Sequence, residues 1–102
     1  DAVVLHELLH LFLEDGPNML DRLESALANE DPREIERAAH GLKGSSATIS
    51  ADPVTALALQ VERAAKEGRL HDAKTTINDL QRELQRLLSA LATLPRDHRE
   101  AA

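Results

Sequence analysis

Cysteine, tryptophan and tyrosine are absent from this chain, and a single phenylalanine is its whole aromatic content. Without thiols neither a disulfide framework nor a thiolate metal site can form, which fits a reducing compartment and makes the cytoplasm the expected location. Positive charge is also short. Twelve Lys and Arg stand against 18 Asp and Glu, and the net charge of −6 argues against general affinity for nucleic acid. Apolar runs never exceed a few residues, so no segment is expected to span or directly contact a membrane. An initiator methionine and a signal peptide are missing ahead of Asp1, and the chain is expected to be a piece of a longer protein.

What is present favours helix. Of the 102 residues 42% are hydrophobic, nearly all Leu, Ala, Val and Ile, and this length leaves room for one domain with an aliphatic core. Helical periodicity recurs along the chain and strand alternation does not. Val4, Leu5, Leu8, Leu9 and Phe12 trace one face of a first helix. At "DGP", Asp15 to Pro17, either a new helix begins or one long helix kinks. Met19, Leu20, Leu23 and Leu27 continue the stripe to about Asn29. Asp31, Pro32 and Glu34 form a helix start of N-cap, N1 and N3, and that helix is predicted over 32–49. Asp52 and Pro53 predict another start, for a helix carrying Val54, Leu57, Ala58, Val61 and Ala65 and stopping at Gly68. A last helix is predicted from about His71 to Leu94, where Pro95 ends it. The fold class expected is all-α: an antiparallel up-down four-helix bundle with an N-terminal helical extension, over residues 1–95, with 96–102 as a frayed tail.

On a helical wheel Ile35, Ala38, Ala39, Leu42, Ser46 and Ile49 form the core stripe of the 32–49 helix. His40 lies about 140–150° away and faces solvent. Gly44 follows one turn later on the same side with Ala47 beside it, and Arg37 and Lys43 flank the imidazole. Imidazole, with an ordinary pKa of about 6.5, is a good nucleophile near neutral pH. An ammonium beside it can stabilise an arriving phosphoryl group. Glycine inside a helix costs about 1 kcal/mol relative to alanine. At Gly44 the return is access for a partner's backbone; Gly41, further round, is expected to relieve crowding against a neighbouring helix. The alternative is an ordinary solvated histidine.

The pattern H-x-x-K-G at His40, Lys43 and Gly44, inside "RAAHGLKGSSATI", resembles the histidine-containing phosphotransfer (HPt) domain family. The flanking "LLHLFLEDGPNMLDRLESALANED" and "LALQVERAAKEG" resemble it more loosely. The resemblance implies a four-helix bundle whose exposed histidine carries a phosphoryl group between receiver-domain aspartates, as a carrier rather than an enzyme. It implies that His40 is the phosphoacceptor, Lys43 the charge-stabilising neighbour and Gly44 the clearance residue, with Arg37 and Ala47 on the docking face. The implied partners are receiver domains of response regulators or of a hybrid histidine kinase. No cofactor belongs to the chain itself, since Mg²⁺ would sit in the receiver, and the domain is expected to be monomeric. Whether the parent is a hybrid sensor kinase or a short shuttle stays open. Two turn positions depart from the family pattern: Ser50 stands where glycine is common, and Gly68–Arg69 stands where "GD" is frequent.

If the turn between the two central helices centres near Ala51, residues whose numbers sum to about 102 lie level. That pairs Glu62 with His40, where a carboxylate could accept from Nδ1–H and leave Nε2 free. Gln60 and Arg63 lie near the same level, and Glu62 could instead pair with Lys66 at i+4.

"HELLH", His6 to His10, matches the zinc-protease pattern H-E-x-x-H. A hydrolase needs a third protein ligand and a substrate cleft. No H-x-x-G-x-x-H extension follows, and Glu14 or Glu24 as third ligand is no better than chance in so acidic a chain. The pair reads as surface histidines with no metal assigned. A helical adaptor without phosphotransfer is the other alternative.

Overall fold

The computed structural model describes residues 1–94. Four helices follow one another: α1 (Ala2–Ala28), α2 (Pro32–Thr48), α3 (Asp52–Lys66) and α4 (Leu70–Leu91). Each packs antiparallel to the next and α1 closes the bundle against α4, giving the expected all-α four-helix arrangement. Leu23, Ile35, Leu42, Val54, Val61, Ile77, Leu80 and Leu84 are fully buried at its centre.

Three connections of three residues each build the bundle, and all end the preceding helix by one device. After α1, Asp31 N–H donates to the Ala26 carbonyl and Glu30 N–H to that of Leu27. After α2, Ala51 N–H reaches Ser46 and Ser50 N–H reaches Ala47. After α3, Arg69 N–H reaches Ala64 and Gly68 N–H reaches Ala65. These are Schellman closures, which need a residue in the left-handed region just past the cap. That residue is Gly68 at φ 75° after α3, but Glu30 at φ 50° and Ser50 at φ 59° after the other two. Ser50 therefore holds a conformation that suits glycine, the residue the family pattern favours there.

Several sequence expectations need correction. Of the two alternatives at Pro17, one long helix holds and a new start does not: α1 runs through it, with Phe12, Gly16, Leu20 and Leu23 buried on either side. The proline removes one backbone bond, and packing carries the helix across the gap. Gly16 lets α4 approach closely, since a Cβ there would stand 2.7 Å from Leu88 Cδ2. Asp52 is not the N-cap of α3. Ala51 holds that position without a side-chain bond, and Asp52 sits in the first turn. Asp31 does cap α2, its carboxylate accepting from Glu34 N–H at 3.3 Å. The last helix ends at Leu91, three residues short of the predicted Leu94. Residues 96–102, expected to be a frayed tail, lie outside the described residues.

The apolar stripe of α1 is buried only in part. Val4 and Leu5 are exposed, Leu8 and Leu9 half-buried, and Phe12 buried. The reason is length. Counting back from the α1–α2 turn, Thr48 lies roughly level with Phe12 by helical rise alone. On the other side Gly16 meets Leu88, so the end of α4 lies roughly level with Leu13. Among the described residues the first ten positions of α1 extend past both neighbours, and this overhang is the helical extension.

Ser50→Gly should relieve the left-handed strain and raise unfolding stability by about 0.5–1 kcal/mol, measured by urea denaturation.

Candidate functional site

His40 stands at the solvent face of α2 with its side chain 68% exposed. Behind it Ala38, Ala39, Leu42 and Ser46 are buried against the rest of the bundle. The Ser46 hydroxyl, buried as well, lies 2.7 Å from that of Thr55 on α3 and 3.1 Å from the Lys43 carbonyl. Among the described residues no buried side-chain nitrogen or oxygen lacks a partner. Small side chains at Ala38, Ala39, Ala58 and Ala65 let α2 and α3 pack closely, and the turn at Ile49–Ala51 sets their register.

That register places Glu62 of α3 beside His40. The His40 Nδ1 lies 2.6 Å from Glu62 Oε2, and the Lys43 ammonium donates to Glu62 Oε1 at 2.6 Å. Burial pushes the Glu62 carboxyl up, but the hydrogen bonds and charges of Lys43 and His40 outweigh it, so its pKa falls below the ordinary 4.5. The carboxylate is therefore ionised at neutral pH and accepts only. The proton between it and the ring must then sit on Nδ1, which leaves the Nε2 lone pair of a neutral ring directed to solvent.

Of the residues singled out in the sequence, the structure brings His40, Lys43 and Glu62 into one hydrogen-bonded group. Glu62 does not pair with Lys66, and its contact with Lys43 is a feature that helical-wheel reasoning missed. The long lysine stem folds across to α3, which only the inter-helix distance reveals. Lys43 is therefore not a free ammonium on the rim. One of its three donors is engaged and its side chain is 29% exposed. Arg37 is exposed and donates to Glu34 at 2.9 Å. With Arg33, Glu36, His40 and Glu62 it lines a shallow open depression.

Gly44 and Ala47 are exposed and leave α2 bare beyond the imidazole. A Cβ added at Gly44 would meet nothing within 4 Å, and the same holds at Gly41. Gly41 therefore relieves no crowding against a neighbouring helix, contrary to expectation: it faces open solvent. One turn past Gly44, Thr48 donates back to the Gly44 carbonyl at 3.0 Å and forms the edge of an apolar groove. Leu8, Leu11, Phe12 and Met19 of α1 and Ile49 line this groove of about 140 Å³, with Asp15 and Ser45 at its margin. The sequence signal was Leu11, an apolar residue off the main stripe of α1.

At the other motif, His6 and His10 are half-buried and not simply solvated. Among the described residues no group of three His, Cys, Asp or Glu side chains could hold a metal ion, so the third protein ligand of a zinc hydrolase is not supplied there. No helix is long and apolar enough to cross a membrane among the described residues.

Gly41→Ala and Gly44→Ala should each raise stability by about 0.5–1 kcal/mol in thermal or urea unfolding, since neither position needs the missing side chain for packing. Because the Glu62 pKa is lowered in the folded state, its contribution is complete above the ordinary value of 4.5 and is lost as pH falls through the lowered one. The stability difference between wild type and Glu62→Gln should accordingly shrink on acidification below about pH 4.5, measured by denaturant midpoints across that range.

Comparison with known proteins agrees with this fold. Over 59 residues the chain is 36% identical to the sensor protein TorS of Escherichia coli (strain K12), a match covering 58% of this chain and 6% of that protein. The chain thus spans a small fraction of that relative's length. No solved structure matches it. The family model for the Hpt domain matches residues 7–92, through all four helices. The chain belongs to the Hpt domain family, whose members are phosphotransfer carriers that interact with receiver domains in two-component systems.

Proposed function

We propose that His40 is the phosphoacceptor of a phosphorelay intermediate, taking a phosphoryl group from a receiver-domain aspartate and delivering it to a second receiver. The observation that carries this reading is the exposed imidazole whose Nδ1 faces the ionised Glu62 at 2.6 Å. In the transfer, the Nε2 lone pair attacks the phosphorus of the receiver's aspartyl phosphate. The N–P bond forms, the bond from phosphorus to the aspartate oxygen breaks, and the aspartate leaves as carboxylate. Nδ1 keeps its proton, so the ring becomes cationic as the N–P bond forms. Glu62 stands against that charge and stabilises it. Lys43 is held by the same carboxylate, and its uncommitted N–H donors are available to the arriving phosphoryl oxygens. The Mg²⁺ of such a relay would belong to the receiver, and the carrier supplies no metal to the step.

Arg37, Gly44 and Ala47 form the docking face around His40, and the groove of Leu8, Leu11, Phe12, Met19 and Ile49 receives an apolar surface of the receiver. The groove starts at Thr48, two turns or about 12 Å along α2 from His40. A receiver seated there can present its aspartate to Nε2. The domain acts as a monomer in the cytoplasm and as one module of a longer signalling chain, which the likeness to part of a sensor protein supports.

Incubated with a phosphorylated receiver, the wild-type chain should acquire acid-labile, base-stable label. His40→Gln should acquire none while its circular dichroism stays helical; label on that variant rejects the assignment. Gly44→Glu should fold normally and transfer slowly, through obstruction and repulsion of the phosphoryl group. Glu62→Ala should slow phosphorylation by about tenfold or more, as loss of an imidazole-orienting carboxylate does elsewhere.

A further inference from the structure

His6 and His10 take no part in the site around His40. They lie one turn apart on the overhanging part of α1, beyond the levels where α2 and α4 end. Their Nε2 atoms converge to 3.1 Å, with ring centroids 4.7 Å apart and planes inclined at 60°. Two imidazole nitrogens that bind one ion at about 2.0–2.1 Å stand about 2.9 Å apart at a right angle and about 3.3 Å apart at the tetrahedral angle. The observed separation falls between these limits, so the rings already have the spacing of a chelate. The surrounding charge also favours a cation. Residues 1–21 carry five carboxylates and neither lysine nor arginine.

We propose that His6 and His10 form a two-histidine chelating site for a late first-row divalent cation such as Zn²⁺, Ni²⁺ or Cu²⁺, with water completing its coordination. Neutral nitrogen donors select these ions over Mg²⁺ and Ca²⁺, which prefer oxygen. In the present pair one Nε2 carries the shared proton and the other accepts it. On binding, that proton moves through solvent to Nδ1 of the same ring, and both Nε2 lone pairs turn to the metal. The chelate ties together one turn of a helix that, among the described residues, outruns α2 and α4. It is a binding site without a catalytic role, and it is independent of phosphotransfer.

The test is calorimetric titration of the chain with ZnCl₂ in a buffer free of chelating groups. A His40→Gln background keeps the imidazole of the phosphotransfer site from contributing. Saturable binding is expected, weakened at least about tenfold by His6→Ala and by His10→Ala separately and unchanged by His71→Ala. Alanine favours helix, so the variants should keep their circular dichroism and the loss will report on ligation. Absence of saturable binding by the parent, or equal binding by the His6→Ala and His10→Ala variants, overturns the site.

Discussion

The hydrogen-bonded group of Glu62, His40 and Lys43 ties the exposed face of α2 to α3 and fixes how the imidazole is held. Each carboxylate oxygen serves a different donor, and both donors come from α2, three residues apart. A carboxylate engaged on both oxygens by cationic or polar N–H groups remains ionised, and an ionised carboxylate leaves the imidazole only one tautomer. Nε2 is therefore left without a proton because of a contact made at the other nitrogen of the ring. Neither helix alone carries this property: α2 provides the ring and the ammonium, and α3 the group that orients them.

The contact exists only in one register. A slip of α3 by one residue would turn Glu62 by about 100°, and a slip by one turn would carry it about 5.4 Å along the axis, beyond hydrogen-bond reach. The Schellman closure at Ile49–Ala51 measures out the hairpin, small side chains at Ala38, Ala39, Ala58 and Ala65 bring the helices together, and the Ser46 and Thr55 hydroxyls pair across the interface. Ser50 in the left-handed region is part of the same device. Its strain is tolerated because three short connections leave the chain little freedom to place the helices otherwise.

The long first helix divides into two functions. From Phe12 onward it completes the core, with Gly16 admitting Leu88 of α4. Before Phe12 it outruns its neighbours, and its apolar residues are left half-covered or bare. Leu8 and Leu11 contribute to the groove at the end of α2, which extends the bare face around His40 with apolar surface suited to a protein partner.

Much of this was legible in the residues. Leucine and alanine at helical spacing, with Asp31, Pro32 and Gly68 as punctuation, determined four helices and short antiparallel connections, because periodicity and caps are local properties. The wheel of α2 likewise determined that His40 faces away from Leu42 and Ile35, and simple counting across the turn put Glu62 level with it. Helix continuity through Pro17 was decided by burial on both sides of the proline, which no local rule registers. Tertiary structure alone decided that Lys43 shares the carboxylate of Glu62, that Gly41 faces open space, and that Val4 and Leu5 stay outside the core. The physical reason is the same in each case: an amphipathic stripe states which face of a helix is apolar, but only the lengths and spacing of the neighbouring helices determine where that face is covered and which side chains meet.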